Sequence, residues 1–284
     1  MNTPPPKPPA AAGASSAGQP APPVSVPPAG RRRGRVLAVT SGKGGVGKTL
    51  VSANLAAALA RQGERVLVID ADLGLANLDV VLNLQPKVTL HEVFSGKATW
   101  EQALLDAPGG FQVLLAGSGL IEYSRLTPQV REQLLALVDE VAPRFDHVLL
   151  DTGAGISDVV LHAVSLADEV LIVATPEPTA MTDAYATIKV LALQQQRRQL
   201  LLLVNQTRRS GEGRAVAQQL QTVVDRFVTL PDGQRPRLRY LGEVALDNAV
   251  REAVQRRQLL LATYPGSAAS LALLQFATRL RELV

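Results

Sequence analysis

Apolar positions along this chain follow two periods. Short continuous apolar runs at 36–40, 65–70, 111–116, 147–151, 169–175 and 200–205 read as strands buried on both faces, and 238–242 as a weaker one. Between them, apolar residues recur at three- and four-residue spacing over 49–62, stopping at Gly63, and over 127–141, closed by Pro143. The same spacing marks helices at 157–167, 179–194, 212–227, 248–255 and 267–283. Strands without alternation, separated by helices, predict an α/β fold: a mostly parallel sheet with helices on both faces. There is no internal repeat and no second break in composition, so one domain is expected over 34–284.

The first 33 residues break this pattern. Residues 1–30 hold ten of the nineteen prolines, with Ala, Gly and Ser between them. Such a stretch buries too little apolar area to offset chain entropy, which predicts a disordered arm, either a passive tail or a ligand for a proline-binding partner. It ends in the cluster Arg31, Arg32, Arg33.

Charge then changes the picture. The net charge of +4 comes from the arm: residues 1–35 carry Lys7, Arg31, Arg32, Arg33 and Arg35 and no acid. Residues 36–195 hold ten cations against eighteen acids, whereas residues 196–284 hold fourteen arginines against seven acids. The basic half could face solvent, an acidic partner, nucleic acid or lipid head groups. Cysteine is absent, which excludes disulfides and thiolate chemistry and fits the cytosol. No apolar run reaches the ~20 residues that span a bilayer, and no basic-then-apolar leader suggests export. One Trp, four Tyr and five Phe are too few for a base-stacking platform, and His91, His147 and His162 lack metal-ligand spacing.

The chemistry concentrates in one loop. Gly42, Lys43, Gly44, Gly45, Val46, Gly47, Lys48 and Thr49 follow a strand and open a helix, the context of a phosphate-binding loop. Glycines let backbone N–H groups turn toward phosphates, and a helix N-terminus adds unpaired donors. Lys48 suits the β- and γ-phosphates of ATP, and the Thr49 hydroxyl suits Mg²⁺. Asp151 ends an apolar strand and can reach the metal through water. Asp70 and Asp72 end another strand, where one could serve the attacking water and the other the metal shell. Lys43 is not needed by an ordinary phosphate loop. It either raises the local potential or reaches the nucleotide of a facing subunit, and spacing does not decide between these.

These residues resemble a known family. The run Lys43-Gly44-Gly45-Val46-Gly47-Lys48-Thr49 matches the deviant Walker A motif of the MinD/ParA ATPases, whose mark is the extra lysine. The run from Asp70 through Leu73-Gly74-Leu75 to Asp79 resembles their second motif, worded most like the flagellar-number regulators of the FlhG/FleN branch. Thr175-Pro176-Glu177-Pro178-Thr179 with Asp183, Ala184 and Tyr185 points to the same branch.

The resemblance implies an ATP-dependent sandwich homodimer and slow hydrolysis to ADP with Mg²⁺. Lys43 would cross to the partner's phosphates, Asp72 would position the attacking water, Asp151 would serve the magnesium shell, and Asn205 would contact adenine. It also implies a cytoplasmic regulatory ATPase of flagellar number or placement, acting on protein partners such as a flagellar regulator or flagellar GTPase. Placement at the inner membrane face or the cell pole stays open. The alternatives are a DNA-partitioning ATPase and a division-site regulator. Three departures matter. Val244-Ala245-Leu246 stands where relatives carry proline, the arm lacks a recognisable partner-activating motif, and the chain stops at Val284 without an amphipathic tail. The stripe Leu273, Phe276, Ala277, Leu280 and Val284 is expected to face the core, which leaves binding to a membrane surface undecided.

Overall fold

The computed structural model describes residues 33–74, 76–117 and 127–283. The reading of the arm over 1–32, and the places of Leu75 and Val284, lie outside the described residues.

Among the described residues, eight strands form one sheet: β1 (Arg35–Ser41), β2 (Val66–Ala71), β3 (Leu105–Ala107), β4 (Phe111–Leu114), β5 (His147–Ala154), β6 (Glu169–Ala174), β7 (Gln199–Thr207) and β8 (Arg237–Ala245). Their order is β3-β4-β2-β5-β1-β6-β7-β8, and every pairing is parallel except β3 with β4. The helices are α1 (Lys48–Arg61), α2 (Leu78–Leu82), α3 (Leu90–Phe94), α4 (Trp100–Ala103), α5 (Pro128–Val141), α6 (Asp158–Ser165), α7 (Pro178–Gln195), α8 (Glu212–Phe227), α9 (Asn248–Gln255), α10 (Leu260–Thr263) and α11 (Ala268–Arg281).

Alternate side chains of each strand feed two cores. On β1, Val36 and Ala38 join the layer with α3 to α8, while Leu37 and Val39 join the layer with α1, α2 and α9 to α11. Both layers are needed because a parallel sheet is apolar on both faces. The α11 stripe faces inward as expected, with Leu273, Phe276, Ala277 and Leu280 buried. His147 is buried beside Glu64, and His162 bonds the Arg131 carbonyl.

The structure adds elements that periodicity did not predict: β3, α2, α3, α4 and α10, none longer than five residues. It also lengthens β8 to nine residues. β8 is an edge strand, and its exposed Arg237 and Arg239 dilute the apolar signal. The carboxyl ends of β1, β2, β5 and β7 meet on one side of the sheet, where strand order reverses around β1.

Candidate nucleotide site

The loop from β1 to α1 is shaped by what its glycines permit. A Cβ on Gly42 would fall 2.2 Å from the Asp183 backbone of α7, so only glycine lets the chain leave β1 there. Gly45 and Gly47 have φ of 78° and 95°, in the left-handed region. Gly47 caps α1 with no side-chain bond, and the first turn of α1 carries no acid. The leading N–H groups of α1 are therefore left for an anion. A Cβ on Gly44 or Gly45 would meet nothing within 4 Å, because both border a cavity of about 960 Å³ shared with Lys48, Thr49, Asp72 and Gly153.

Lys48 is buried and donates from Nζ to Ser41 Oγ at 3.0 Å. Burial lowers its pKa, opposed by the charges of Asp151 and Asp72. Asp151 accepts from Ser52 Oγ at 2.8 Å and from the Thr49 hydroxyl. Burial nevertheless pushes its carboxyl up to about 6, against those two bonds and the Lys48 charge. Asp70 lies opposite Asp151 in the β2–β5 register. Burial and then the Asp151 charge hold its carboxyl well above the usual range. Its Oδ1 accepts from the Asp72 backbone N–H at 3.2 Å. Asp70 does not line the phosphate-side cavity. It lines a neighbouring one of about 320 Å³ with Asp79, Thr89 and Glu92.

Lys43 also stands outside the main cavity. Its Nζ is 3.1 Å from Glu177 Oε2 and 3.1 Å from Thr179 Oγ1, both at the start of α7. Asn205, buried at the end of β7, donates from Nδ2 to the Val46 carbonyl at 2.8 Å and accepts from the Gln206 backbone at 2.9 Å. Gln206 reaches the Gly45 carbonyl from Nε2 at 3.4 Å. Thus β7 holds the floor of the loop. One amide hydrogen of Asn205 remains for another partner.

Of the expected site residues, Gly44, Gly45, Gly47, Lys48, Thr49 and Asp72 thus line the cavity; Asp151 is bonded to Thr49, Asn205 is tied to Val46, Asp70 lies opposite Asp151, and Gly42 and Lys43 stand outside the lining. Sequence reasoning missed Ser41, Ser52 and Gln206, and took Glu177 only as a mark of the family branch. Ser52 was within reach, since it lies four residues after Lys48 on α1 and so shares its helix face. The donor set fits ATP with Mg²⁺: uncapped helix N–H groups and Lys48 for phosphate, and hard hydroxyl and carboxylate oxygens for the metal.

An AAA-domain family profile matches residues 34–202. The chain is 43% identical over 238 residues to the antiactivator FleN of Pseudomonas aeruginosa, covering 84% of this chain and 83% of that protein. It is 34% identical over 247 residues to the flagellum site-determining protein YlxH of Helicobacter pylori, covering 86% and 80%. The septum site-determining protein MinD of Pyrococcus horikoshii, solved with Mg-ADP, superposes with a TM-score of 0.70 at 26% identity, covering 88% of this chain and 96% of that one.

Proposed function

The chain belongs to the MinD/ParA family of ATPases, which bind ATP with Mg²⁺, and on that premise we propose that it is an ATP-dependent dimerising switch that regulates flagellar number or placement through protein partners. The observation that carries the reading is the position of Lys43. It sits at the mouth of a complete phosphate loop with its ammonium outside the cavity that Lys48 lines. A cation so placed, once it leaves Glu177 and Thr179, can reach phosphates brought by a second copy. The similarity to FleN and YlxH supports the flagellar assignment.

In this reading Lys48 and Thr49 take phosphate and metal. Asp72 orients the attacking water. Asp151 serves the metal shell through water, and Asp70 acts from behind, through Asp151. The remaining amide hydrogen of Asn205 faces the base. The ATP state favours the dimer and recruits the partner, and hydrolysis releases it. No helix among the described residues is long and apolar enough to cross a membrane.

Deleting the gene tests the assignment. Altered flagellar number or position is expected, and a strain with normal flagella would contradict it. The partitioning alternative keeps one observation in its favour: Arg208, Arg209, Arg251 and Arg257 are exposed, and among the described residues no carboxylate lies within 4.0 Å of their guanidinium groups. ATP-dependent, salt-sensitive DNA binding would favour that alternative over the flagellar one.

A further inference from the structure

Ser41, the last residue of β1, touches both loop lysines. Its hydroxyl donates to the Lys43 carbonyl at 2.7 Å and accepts from Lys48 Nζ at 3.0 Å. Its own carbonyl accepts from the Gly155 backbone N–H at 2.8 Å, just after the segment that carries Asp151. The residue is fully buried, and the β1–β5 register shifts between Val39 and Ser41. The shift marks where β1 leaves regular pairing to enter the loop.

From this geometry we infer that Ser41 is a positioning residue that couples Lys48 to Lys43, so that the loop's inner lysine sets the aim of its outer one. A serine hydroxyl has one hydrogen, and here it is spent on the Lys43 carbonyl. Its lone pairs therefore face Lys48. The Lys48 charge polarises the hydroxyl and strengthens the bond to Lys43. An anion that engages Lys48 draws off part of that polarisation, and the Lys43 peptide responds. Gly155 holds Ser41 from the other side, so the hydroxyl is a fixed pivot. Lys43 leaves the loop from a peptide held at this pivot and nowhere enters the cavity.

The inference rests on the proposed crossing of Lys43 to a second subunit, and the test separates the two. The full-length protein with Mg²⁺ and ATPγS is examined by analytical ultracentrifugation as wild type, Lys43→Ala, Ser41→Ala and Ser41→Cys. A fluorescent ATP analogue gives nucleotide affinity in parallel. The loss of one hydrogen bond is expected to weaken the Ser41→Ala dimer about five- to tenfold, with nucleotide affinity changed less than about threefold. Ser41→Cys keeps the volume and a weak donor, and should fall between wild type and Ser41→Ala. It keeps the test decisive even where Ala impairs folding. Wild type dimerising, Lys43→Ala failing and both Ser41 variants matching wild type would overturn the inference alone. Loss of nucleotide binding in the Ser41 variants would also overturn it, because the hydroxyl would then serve Lys48 only. A wild-type monomer with ATPγS would instead sink the dimer reading on which it stands.

Discussion

The ammonium of Lys43 lies 3.1 Å from the Glu177 carboxylate of its own chain, at the N-terminal end of α7. Both side chains are substantially exposed, at 40% and 63%, so the pair contributes little to stability. Its consequence is competition. While Lys43 is held on α7 it is not extended toward a second copy.

Glu177→Gln should therefore leave the melting temperature nearly unchanged and strengthen ATP-dependent self-association by up to about fivefold, the scale of one exposed ion pair. Sedimentation across a concentration series measures this. A weaker dimer would mean that Glu177 works across the interface and does not compete with it.

Asn205 offers a second handle. Its amide ties β7 to the Val46 carbonyl, and a Cβ on Gly47 would fall 2.5 Å from that same amide. Asn205→Ala leaves a buried carbonyl without its donor, at a cost of about 1–3 kcal/mol. Gly47→Ala adds a backbone strained at φ 95°. Both variants should weaken binding of a fluorescent ATP analogue by tenfold or more, a factor equal to about 1.4 kcal/mol. Wild-type affinity in Asn205→Ala would show that the tie does not shape the loop.

Asp151 gives a pH dependence with a definite sign. Its carboxyl titrates near 6 in the folded chain and near the ordinary 3.8 when unfolded. Between those values the folded chain keeps a proton that the unfolded chain releases. Stability therefore falls as pH rises through the window and levels off above about 6. Asp70, opposite in register, is pushed the same way. Asp151→Asn removes this burden and should stabilise the protein, measured without Mg²⁺ or nucleotide, by on the order of 2–3 kcal/mol at pH 8 and by little at pH 4. It should abolish ATP hydrolysis at the same time. Thermal melts of both proteins from pH 4 to 8 check this, and a gap independent of pH would count against it.

How much of this was legible depends on what each feature needs. The parallel strands are readable because they are buried on both faces and appear as unbroken apolar runs. The phosphate loop is readable because its chemistry is contiguous. The five short elements are not, since three to five residues cannot display a period. Two left another trace: Thr89 with Glu92, and Thr99 with Gln102, form capping boxes that open α3 and α4. The pairings that support the site were hidden for a different reason. Ser52 meets Asp151 across 99 positions and Asn205 meets Val46 across 159, pairings that exist only once the sheet is assembled. Asp70 and Asp72 look equivalent in sequence. β2 ends at Ala71, so Asp70 stays in the strand opposite Asp151 while Asp72 lies past its end, and the two line different cavities.

Lys43 as half of a two-subunit site is the central claim, and sedimentation of wild type, Asp72→Ala and Lys43→Ala with Mg²⁺ and either ATP or ADP tests it most directly. Asp72→Ala should slow hydrolysis by about 10² or more while sparing binding, as expected for loss of a water-orienting group, and should accumulate a dimer with ATP and not with ADP. Lys43→Ala should stay monomeric with either nucleotide. A monomer in both wild type and Asp72→Ala with saturating ATP would contradict the claim.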